Sequence, residues 1–465
     1  MAVPDARDLG RVHFVGIGGA GMSGIARIML SRGIEVSGCD ARDSLALTAL
    51  RARGATVAVG HDPGHVAFAD TLVVSSAVRP TVPELAEAQR LGRRVLPRGA
   101  ALAAVMAGAR GIAVAGTHGK TTTTSMLTVA LQACGLDPSY AIGGDLGEPG
   151  SNAHQGTGEF FVAEADESDR SFLLLAPEVA VVTNVEADHL DNYADGAAVH
   201  RAFAEFLDRV AAGGAVALGV DDAGARELFD AAVARGLRTT TFGLADDADV
   251  RVTDLILAGG GSTFSVVAGG RRLGQVVLRV PGSYNAVNAA GALAAGMALE
   301  LPFTQLVRGL AEFTGARRRF EAKGEADGIR VFDDYAHHPT ELRAVLGAAR
   351  AVTAGRVVVV FQPHLFSRTQ AFARDFAAAL TAADVAVVME VYAAREDPVP
   401  GVTGALVADA VPAGGTEVHY EPSWSAVPEL VGRIARPGDV VLTVGAGDVT
   451  MLGPEILAAI ETSAR

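Results

Sequence analysis

The sequence predicts an α/β protein of three domains, on three observations. Its 465 residues amount to roughly three domains at ~150 residues each, and a chain of that length can bury a core in every one. Short runs rich in Val and Ile alternate with Ala- and Leu-rich stretches, the pattern made by helices laid on parallel sheets. Two glycine loops each follow such a run and open a helical stretch. Hydrophobic residues form 49% of the chain and charged ones 20%, which excludes large-scale disorder.

The charge narrows the function classes. Lys and Arg number 39 against 53 Asp and Glu, a net −14. General nucleic-acid or membrane-surface binding needs the opposite sign, although a local basic pocket for a phosphorylated ligand stays open. Two cysteines, Cys39 and Cys134, cannot build a disulfide framework and fit a reducing compartment. No stretch approaches ~18 consecutive apolar residues, and the first residues lack an apolar run like that of a signal peptide. The expectation is a soluble, cytoplasmic protein.

The first block runs to about residue 107, with strands expected at Val12–Val15, Glu35–Gly38, Thr56–Val59 and Thr71–Ser75. The second opens with Ile112–Ala115 and continues with Phe160–Ala163, Val179–Thr183 and Ala215–Leu218. Shorter alternating runs between Asp249 and Val280 read as antiparallel hairpins, and an Ala-rich helix follows over Asn285–Leu299. The third begins near Gly315, with strands at Arg330–Phe332, Val357–Phe361, Val385–Met389 and Val440–Val444. The expected domains are therefore 1–107, 108–314 and 315–465.

Val12–Val15 leads into Gly16-Ile17-Gly18-Gly19-Ala20-Gly21 and then Met22. This is G-x-G-x-x-G between strand and helix. Gly16 permits the turn, Gly18 lets backbone near a pyrophosphate, and Gly21 lets the helix pack close to the strand. The helix N-terminus offers free N–H groups to an anion. Asp40 stands 40 − 21 = 19 residues on, where an acid takes a ribose hydroxyl. Ser75 and Ser76 follow another strand on the ligand-binding edge, as hydroxyl donors or as an ordinary helix cap. The loop points to diphosphate and ribose without specifying nicotinamide.

The second loop, Gly116-Thr117-His118-Gly119-Lys120-Thr121-Thr122, ends in G-K-T-T but is two residues shorter between its glycines than G-x-x-x-x-G-K-[ST]. Its backbone N–H groups can still cradle phosphates, Lys120 can reach the β/γ oxygens, and Thr121 can ligate Mg²⁺. The strand at Phe160–Ala163 delivers EADESD, whose Glu164 is best placed as a metal-side acid. His189, in NVEADHLD after the next strand, is a second candidate ligand beside Glu164, or a capping residue.

In the third block, Asp333-Asp334-Tyr335-Ala336-His337-His338-Pro339 reads as a loop entering a helix, because Pro339 suits a first turn. Tyr335 and His338 are candidates for a small amino-acid pocket or for a capped helix start. Arg368 suits bidentate binding of a carboxylate or phosphate, or a surface ion pair. Gly445-Ala446-Gly447-Asp448 suits a close backbone approach to a ligand, or an ordinary turn.

The first glycine loop, GTHGKTT, EADESD, TNVEADHLD, RRRF, DDYAHHP and QPH…R stand in the same order as in the Mur ligase family, which the chain resembles over essentially its whole length. The resemblance implies a Rossmann-like N-terminal domain, a central P-loop ATPase-like α/β domain with extra antiparallel strands, and a Rossmann-like C-terminal domain. By resemblance these bind UDP-N-acetylmuramate, ATP with Mg²⁺, and the amino acid, taken to be L-alanine. Lys120 and Thr121 match the family's phosphate lysine and magnesium threonine, and Glu164 and His189 its metal ligands. Asn285 and Asn288 lie in the adenine-holding stretch, and Arg318 and Arg319 in the arginine motif. His338 and Arg368 join Lys120, Glu164 and His189 in the implied catalytic set.

The sequence departs from the family's usual residues at Tyr284 (often His), at Arg317 (often Lys) and after Gln362-Pro363-His364. There Leu365-Phe366-Ser367-Arg368 leaves one arginine instead of two. The implied reaction is carboxylate activation by ATP through an acyl phosphate, followed by amide formation, by a monomer or homodimer without nucleic-acid or membrane partners. A recycling ligase that adds a murein tripeptide to the same UDP-sugar carries similar motifs. A nicotinamide oxidoreductase would leave GTHGKTT unexplained.

Overall fold

The computed structural model describes residues 4–75, 78–79, 81–147, 150–188 and 192–463. Three sheets are distributed over two compact units: Met1–Asp254 with Phe264–Val276 and Val287–Phe313, and Leu255–Thr263 with Val277–Ala286 and Thr314–Arg465.

The first sheet contains β1 (Val12–Val15), β2 (Val36–Asp40), β3 (Thr56–Val59), β4 (Thr71–Val74) and β5 (Arg94–Pro97). All are parallel, in the order β3-β2-β1-β4-β5. Helices α1 (Ala20–Ser31), α2 (Leu45–Ala52), α3 (Pro83–Arg90) and α4 (Arg98–Met106) make the connections. β1 is central and buried throughout, so it reads as an unbroken apolar run apart from His13. The strand order reverses between β1 and β4, and ligands bind at such a switch point. α1 buries Met22, Ile25, Ile28 and Met29, at helical spacing.

The second sheet has β6 (Arg110–Ala115), β7 (Ser139–Ala141), β8 (Ala153–His154), β9 (Phe160–Glu164), β10 (Val179–Val182), β11 (Ala215–Gly219), β12 (Arg238–Gly243), β13 (Val250–Ala258), β14 (Gly261–Ala268) and β15 (Arg271–Leu278). Its order is β15-β14-β13-β12-β11-β10-β6-β9-β7-β8. β6 lies between β10 and β9, parallel to both. The expected hairpins are β13 to β15: neighbouring strands joined by Gly259-Gly260 and Gly269-Gly270, all four at positive φ, the backbone that two-residue hairpin turns require. Its helices are α5 (Lys120–Ala133), α6 (Gly196–Leu207), α7 (Ala223–Ala234), α8 (Ser283–Ala298) and α9 (Phe303–Glu312). α8 begins two residues before the expected start, directly after Gly282 at φ 101°. One apolar cluster joins Phe14 and Ile25 of the first sheet's layers to Phe161, Val182 and Phe203 of the second's.

The third sheet comprises β16 (Glu321–Ala326), β17 (Ile329–Asp334), β18 (Val357–Phe361), β19 (Val385–Val388), β20 (Glu417–Tyr420) and β21 (Val440–Val444) in the order β16-β17-β21-β18-β19-β20. Only the β16–β17 pair is antiparallel, with a bulge between Ala322 and Gly324. α10 (Pro339–Val352), α11 (Phe366–Leu380), α12 (Ala405–Ala408), α13 (Val427–Ile434) and α14 (Leu452–Ser463) complete the unit. β18 sends Val357, Val359 and Phe361 into one apolar cluster and Val358 and Val360 into another. Burial on both faces explains its five apolar residues in a row.

Six strands escape the sequence pattern: β5, β7, β8, β12, β16 and β20. They are short or polar, as in EAKGEA of β16 and RTTTFG of β12. Among the described residues, no helix is long and apolar enough to cross a membrane.

Candidate active site

The first loop turns at Gly16, φ 80°. The Gly16 and Ile17 amides donate to the Cys39 carbonyl at 2.8 and 3.1 Å. Asp40 closes β2 and accepts from the Gly18 amide at 2.9 Å. A Cβ on Gly18 would lie 2.8 Å from Leu47 and 2.9 Å from the Asp40 carboxylate, so this glycine is required by the protein's own packing. Gly19 caps α1, its carbonyl accepting from Ser23 N at 2.8 Å. The Ala20 carbonyl accepts from Asn152 Nδ2 at 2.6 Å.

One expectation is corrected at this loop. Gly21 makes room for Arg98, whose Nη1 would be 3.0 Å from an added Cβ, while the close strand contact belongs to Gly38, against Ile17 and the Phe14 carbonyl. Met22 points into the apolar core, which leaves only its backbone for a ligand. Ser75 follows β4 and stands beside Gly16, 3.6 Å from where a Cβ would be, as the switch point dictates. Ser76 lies outside the described residues.

At the second loop, Gly116 has φ 133° and Gly119 has φ 80°. A Cβ on Gly116 would collide with the Thr183 hydroxyl, and one on Gly119 would come 2.6 Å from Asn288 Oδ1. α5 starts at Lys120 with Gly119 as its left-handed N-cap. The loop is pinned from the ends of its neighbour β10. Thr183 Oγ1 donates to the His118 carbonyl at 2.6 Å, the His118 amide donates to Asn184 Oδ1 at 2.7 Å, and the Glu186 amide donates to Thr117 Oγ1 at 2.8 Å.

Lys120 Nζ donates to the Gly116 carbonyl at 2.6 Å, the Thr117 carbonyl at 3.0 Å and Glu167 Oε1 at 2.9 Å. Burial alone would lower its pKa, but Glu167, Asp166 and Glu164 outweigh burial and raise it, so the ammonium is held charged. Thr121 Oγ1 donates to Glu164 Oε1 at 3.1 Å, and Glu164 Oε2 accepts from the Gly143 amide at 2.6 Å. A hydroxyl and a carboxylate side by side at a helix start are the hard-oxygen donors that suit Mg²⁺. Thr122 is buried behind them. His189 lies outside the described residues. Asp166 is also drawn in: burial would raise its carboxyl, but Arg98, 2.6 Å away, and Lys120 hold it down at about 2.

Glu167 and Asp166 are the residues that sequence reasoning left without a role. They stand in EADESD, but nothing in their spacing told which carboxylate reaches the lysine.

In the second unit, Arg318 adopts φ 59°. Its Nε pairs with buried Asp333 at 3.2 Å, and Nη2 donates to the Gly445 carbonyl at 2.6 Å. Arg318 and Arg319 lie over the Tyr335 ring, 4.8 and 5.3 Å from its centre. Asp334 accepts from the Phe320 and Ala336 amides. Burial lifts its carboxyl to about 6 despite those bonds and nearby Arg319. His338 caps α10 in a box with Glu341, and its ring meets Phe372 edge-on at 5.1 Å. A capped helix start is thus present at His338. Arg368 is 7% exposed with Nη1 3.3 Å from His364 Nδ1, so the surface ion-pair alternative is excluded. Asn285 Nδ2 donates to the Pro281 carbonyl at 2.6 Å. The Gly445–Gly447 turn does approach closely, but to protein: added Cβ atoms would come 2.7 Å from the Gln362 carbonyl and 2.6 Å from the Tyr392 ring.

A parallel switch-point loop, and a lysine-bearing glycine loop with paired hard-oxygen donors, define a nucleotide-dependent enzyme of the α/β class. The "Mur ligase family, catalytic domain" matches residues 11–110, the "Mur ligase middle domain" 114–296, and the "Mur ligase, glutamate ligase domain" 318–447. A UDP-N-acetylmuramate–L-alanine ligase of Acidothermus cellulolyticus is 61% identical over 97% of this chain and 95% of its own. One of Saccharopolyspora erythraea is 56% identical over 98% and 96%. The crystal structure of a UDP-N-acetylmuramate-alanine ligase of Thermotoga maritima superposes with a TM-score of 0.82 at 29% identity, covering 97% of this chain and 99% of that one. The chain belongs to the Mur ligase family.

Proposed function

We infer that this chain is an ATP-dependent ligase that joins L-alanine to the lactyl carboxylate of UDP-N-acetylmuramate, in the cytoplasmic synthesis of peptidoglycan precursors. The observation that carries the reading is the convergence of Lys120, Thr121, Glu164 and Glu167 at the second loop, in a chain 61% identical to a ligase of that name. Residues 1–107 would hold the UDP-sugar, 108–314 ATP, and 315–465 the amino acid.

A carboxylate does not condense with an amine in neutral water without activation. The lactyl carboxylate oxygen attacks the γ-phosphorus, the bond to the β,γ-bridging oxygen breaks, and ADP leaves. The neutral amine then attacks the acyl carbon, phosphate departs, and the amine's proton passes to solvent. Lys120, charged and fixed at three points, offers its ammonium to the transferred phosphoryl oxygens. The Gly116–Lys120 backbone cradles the phosphates. Thr121 and Glu164, with His189 by family resemblance, would hold Mg²⁺, which supplies charge neutralisation on the phosphoryl group. Asn288, beside Gly119, would serve the nucleoside by family resemblance. By family resemblance, Arg318 and Arg319 would serve ATP binding, and Tyr335, His338 and Arg368 amino-acid binding.

A product assay with ATP and UDP-N-acetylmuramate and a panel of L-alanine, glycine, L-serine and murein tripeptide tests the reading. L-Alanine should give the fastest amide formation. Preferred use of the tripeptide would overturn the substrate assignment, and absence of ADP with every amine would overturn the reaction class.

A further inference from the structure

A cluster of metal-ligating groups lies in the first sheet, at the end of β2 beside the first glycine loop, whose Gly16 and Ile17 amides donate to the Cys39 carbonyl. Cys39 belongs to β2, His61 follows β3, His65 sits four residues later on the short turn Pro63–Val66, and Glu84 opens α3. Cys39 and Glu84 are fully buried. The side chains of His61 and His65 remain 26% and 24% exposed, which leaves a path from solvent.

Three of the four converge on one oxygen of the fourth. Glu84 Oε1 is 3.2 Å from Cys39 Sγ, 3.2 Å from His61 Nδ1 and 3.2 Å from His65 Nδ1, and it also accepts from the Asp62 amide at 2.9 Å. Cys39 Sγ and His61 Nδ1 are 3.6 Å apart. A carboxylate oxygen has two lone pairs, so four donors oversubscribe it. Its sister atom, Glu84 Oε2, is buried with no partner. A cluster serving only to solvate a buried glutamate would share donors between the two oxygens. Next to it, His13 is 2% exposed and stacks on His65 at 5.9 Å. Its Nδ1 meets Ser37 Oγ while Nε2 is buried and unpartnered. One ring nitrogen each of His13 and His65 and the Cys39 sulfur lie within 4.8 Å of one another, as do the ligand atoms of Cys39, His61 and Glu84.

We propose that Cys39, His61 and Glu84 form a binding site for a zinc-class divalent cation, with His65 and His13 packed beside it. Mixed sulfur, imidazole and carboxylate donors select zinc over magnesium. The ligand atoms of Cys39, His61 and Glu84 stand 3.2–3.6 Å apart, about the separation of donors roughly 2.0–2.3 Å from a tetrahedral ion. The charges also close: one thiolate, one carboxylate and M²⁺ sum to zero, which a buried site requires. Without a cation, burial and Glu84 hold the Cys39 thiol protonated, well above the ordinary thiol range. Binding therefore exchanges the S–H bond for an S–metal bond and releases that proton to solvent. Such an ion would tie the ends of β2 and β3 to α3, the carboxyl edge from which Asp40 reaches Gly18.

The full chain, stripped with a chelator and re-equilibrated with zinc in excess Mg²⁺, tests this without any activity readout. One zinc per chain should survive gel filtration and raise the melting temperature. Cobalt in its place should show thiolate-to-metal charge-transfer absorption, retained in Cys134→Ser and lost in Cys39→Ser. His61→Ala should weaken zinc binding at least about 100-fold. Failure of the wild-type chain to retain zinc would overturn the site, and so would a cobalt form without the thiolate band. Loss of the band in Cys134→Ser would overturn it as well. The wild-type and Cys134→Ser spectra decide the matter even if Cys39→Ser fails to fold.

Discussion

In the first glycine loop the nearest acid serves the loop itself: Asp40 accepts from the Gly18 amide. In the second, the nearest acids face a cation: Glu167 pairs with Lys120, and Glu164 takes the Thr121 hydroxyl. Both loops follow a central strand and open a helix, so both offer N–H groups to an anion. Their electrostatics differ. The first carries a carboxylate at its mouth and no lysine, so it suits positioning a diphosphate that undergoes no chemistry. The second holds a charged lysine against carboxylates, which suits a place where a phosphoryl group would change hands. On the proposed function the same backbone device would serve binding in one place and catalysis in the other, with the neighbouring side chains deciding which.

Substitutions sharpen that contrast. The largest effect is expected from Lys120→Ala, which should lower the rate of ADP formation on the order of 10²–10³-fold or more while UDP-N-acetylmuramate binding, followed by calorimetry, is unchanged. A near wild-type rate would break the comparison. Glu164→Ala should raise the Mg²⁺ concentration needed for half-maximal rate about 10- to 100-fold, and an unshifted magnesium titration would remove Glu164 from that role. Asp40→Ala should raise KM for the UDP-sugar roughly tenfold by freeing the Gly18 loop, with KM for ATP unaltered. Equal changes in both would mean that the two loops do not act separately.

The smallest effect concerns Arg98 and Asp166. The Asp166 carboxyl is held at about 2, below its ordinary 3.8. Its contribution is therefore present above pH ~4 and lost as pH falls toward 2. Arg98→Met should shrink that acid-side loss by about 1 kcal/mol, allowing for an Asp166 side chain one-third exposed. Urea midpoints on either side of the window measure it.

Local periodicity made the buried parallel strands legible, because β1, β10, β18 and β21 are buried on both faces and nearly all apolar. It failed at β16 and β20, edge strands whose composition answers to solvent. Both glycine loops were legible too, since strand, glycines and helix are contiguous. Glycine roles were less so. Gly21 answers to Arg98, 77 residues away in sequence, and no motif records a partner at that distance. In the third block, proline placement foretold the start of α10 and a capped helix start was one reading of His338, but nothing local announced the ring's edge-on contact with Phe372.

The sequence by itself determined the α/β class, the two phosphate-type loops, and the lysine, threonine and acids from which the site is drawn. Those are properties of contiguous residues, which backbone geometry and hydrophobic period read directly. Only the tertiary structure decided which carboxylate meets Lys120, that Asp40 holds Gly18, and that Arg318 pairs with Asp333. It alone gathered Cys39, His61 and His65 around one oxygen of Glu84. Such contacts join separate strands and loops, and a parallel sheet brings them together by strand order, which leaves no local trace in the chain.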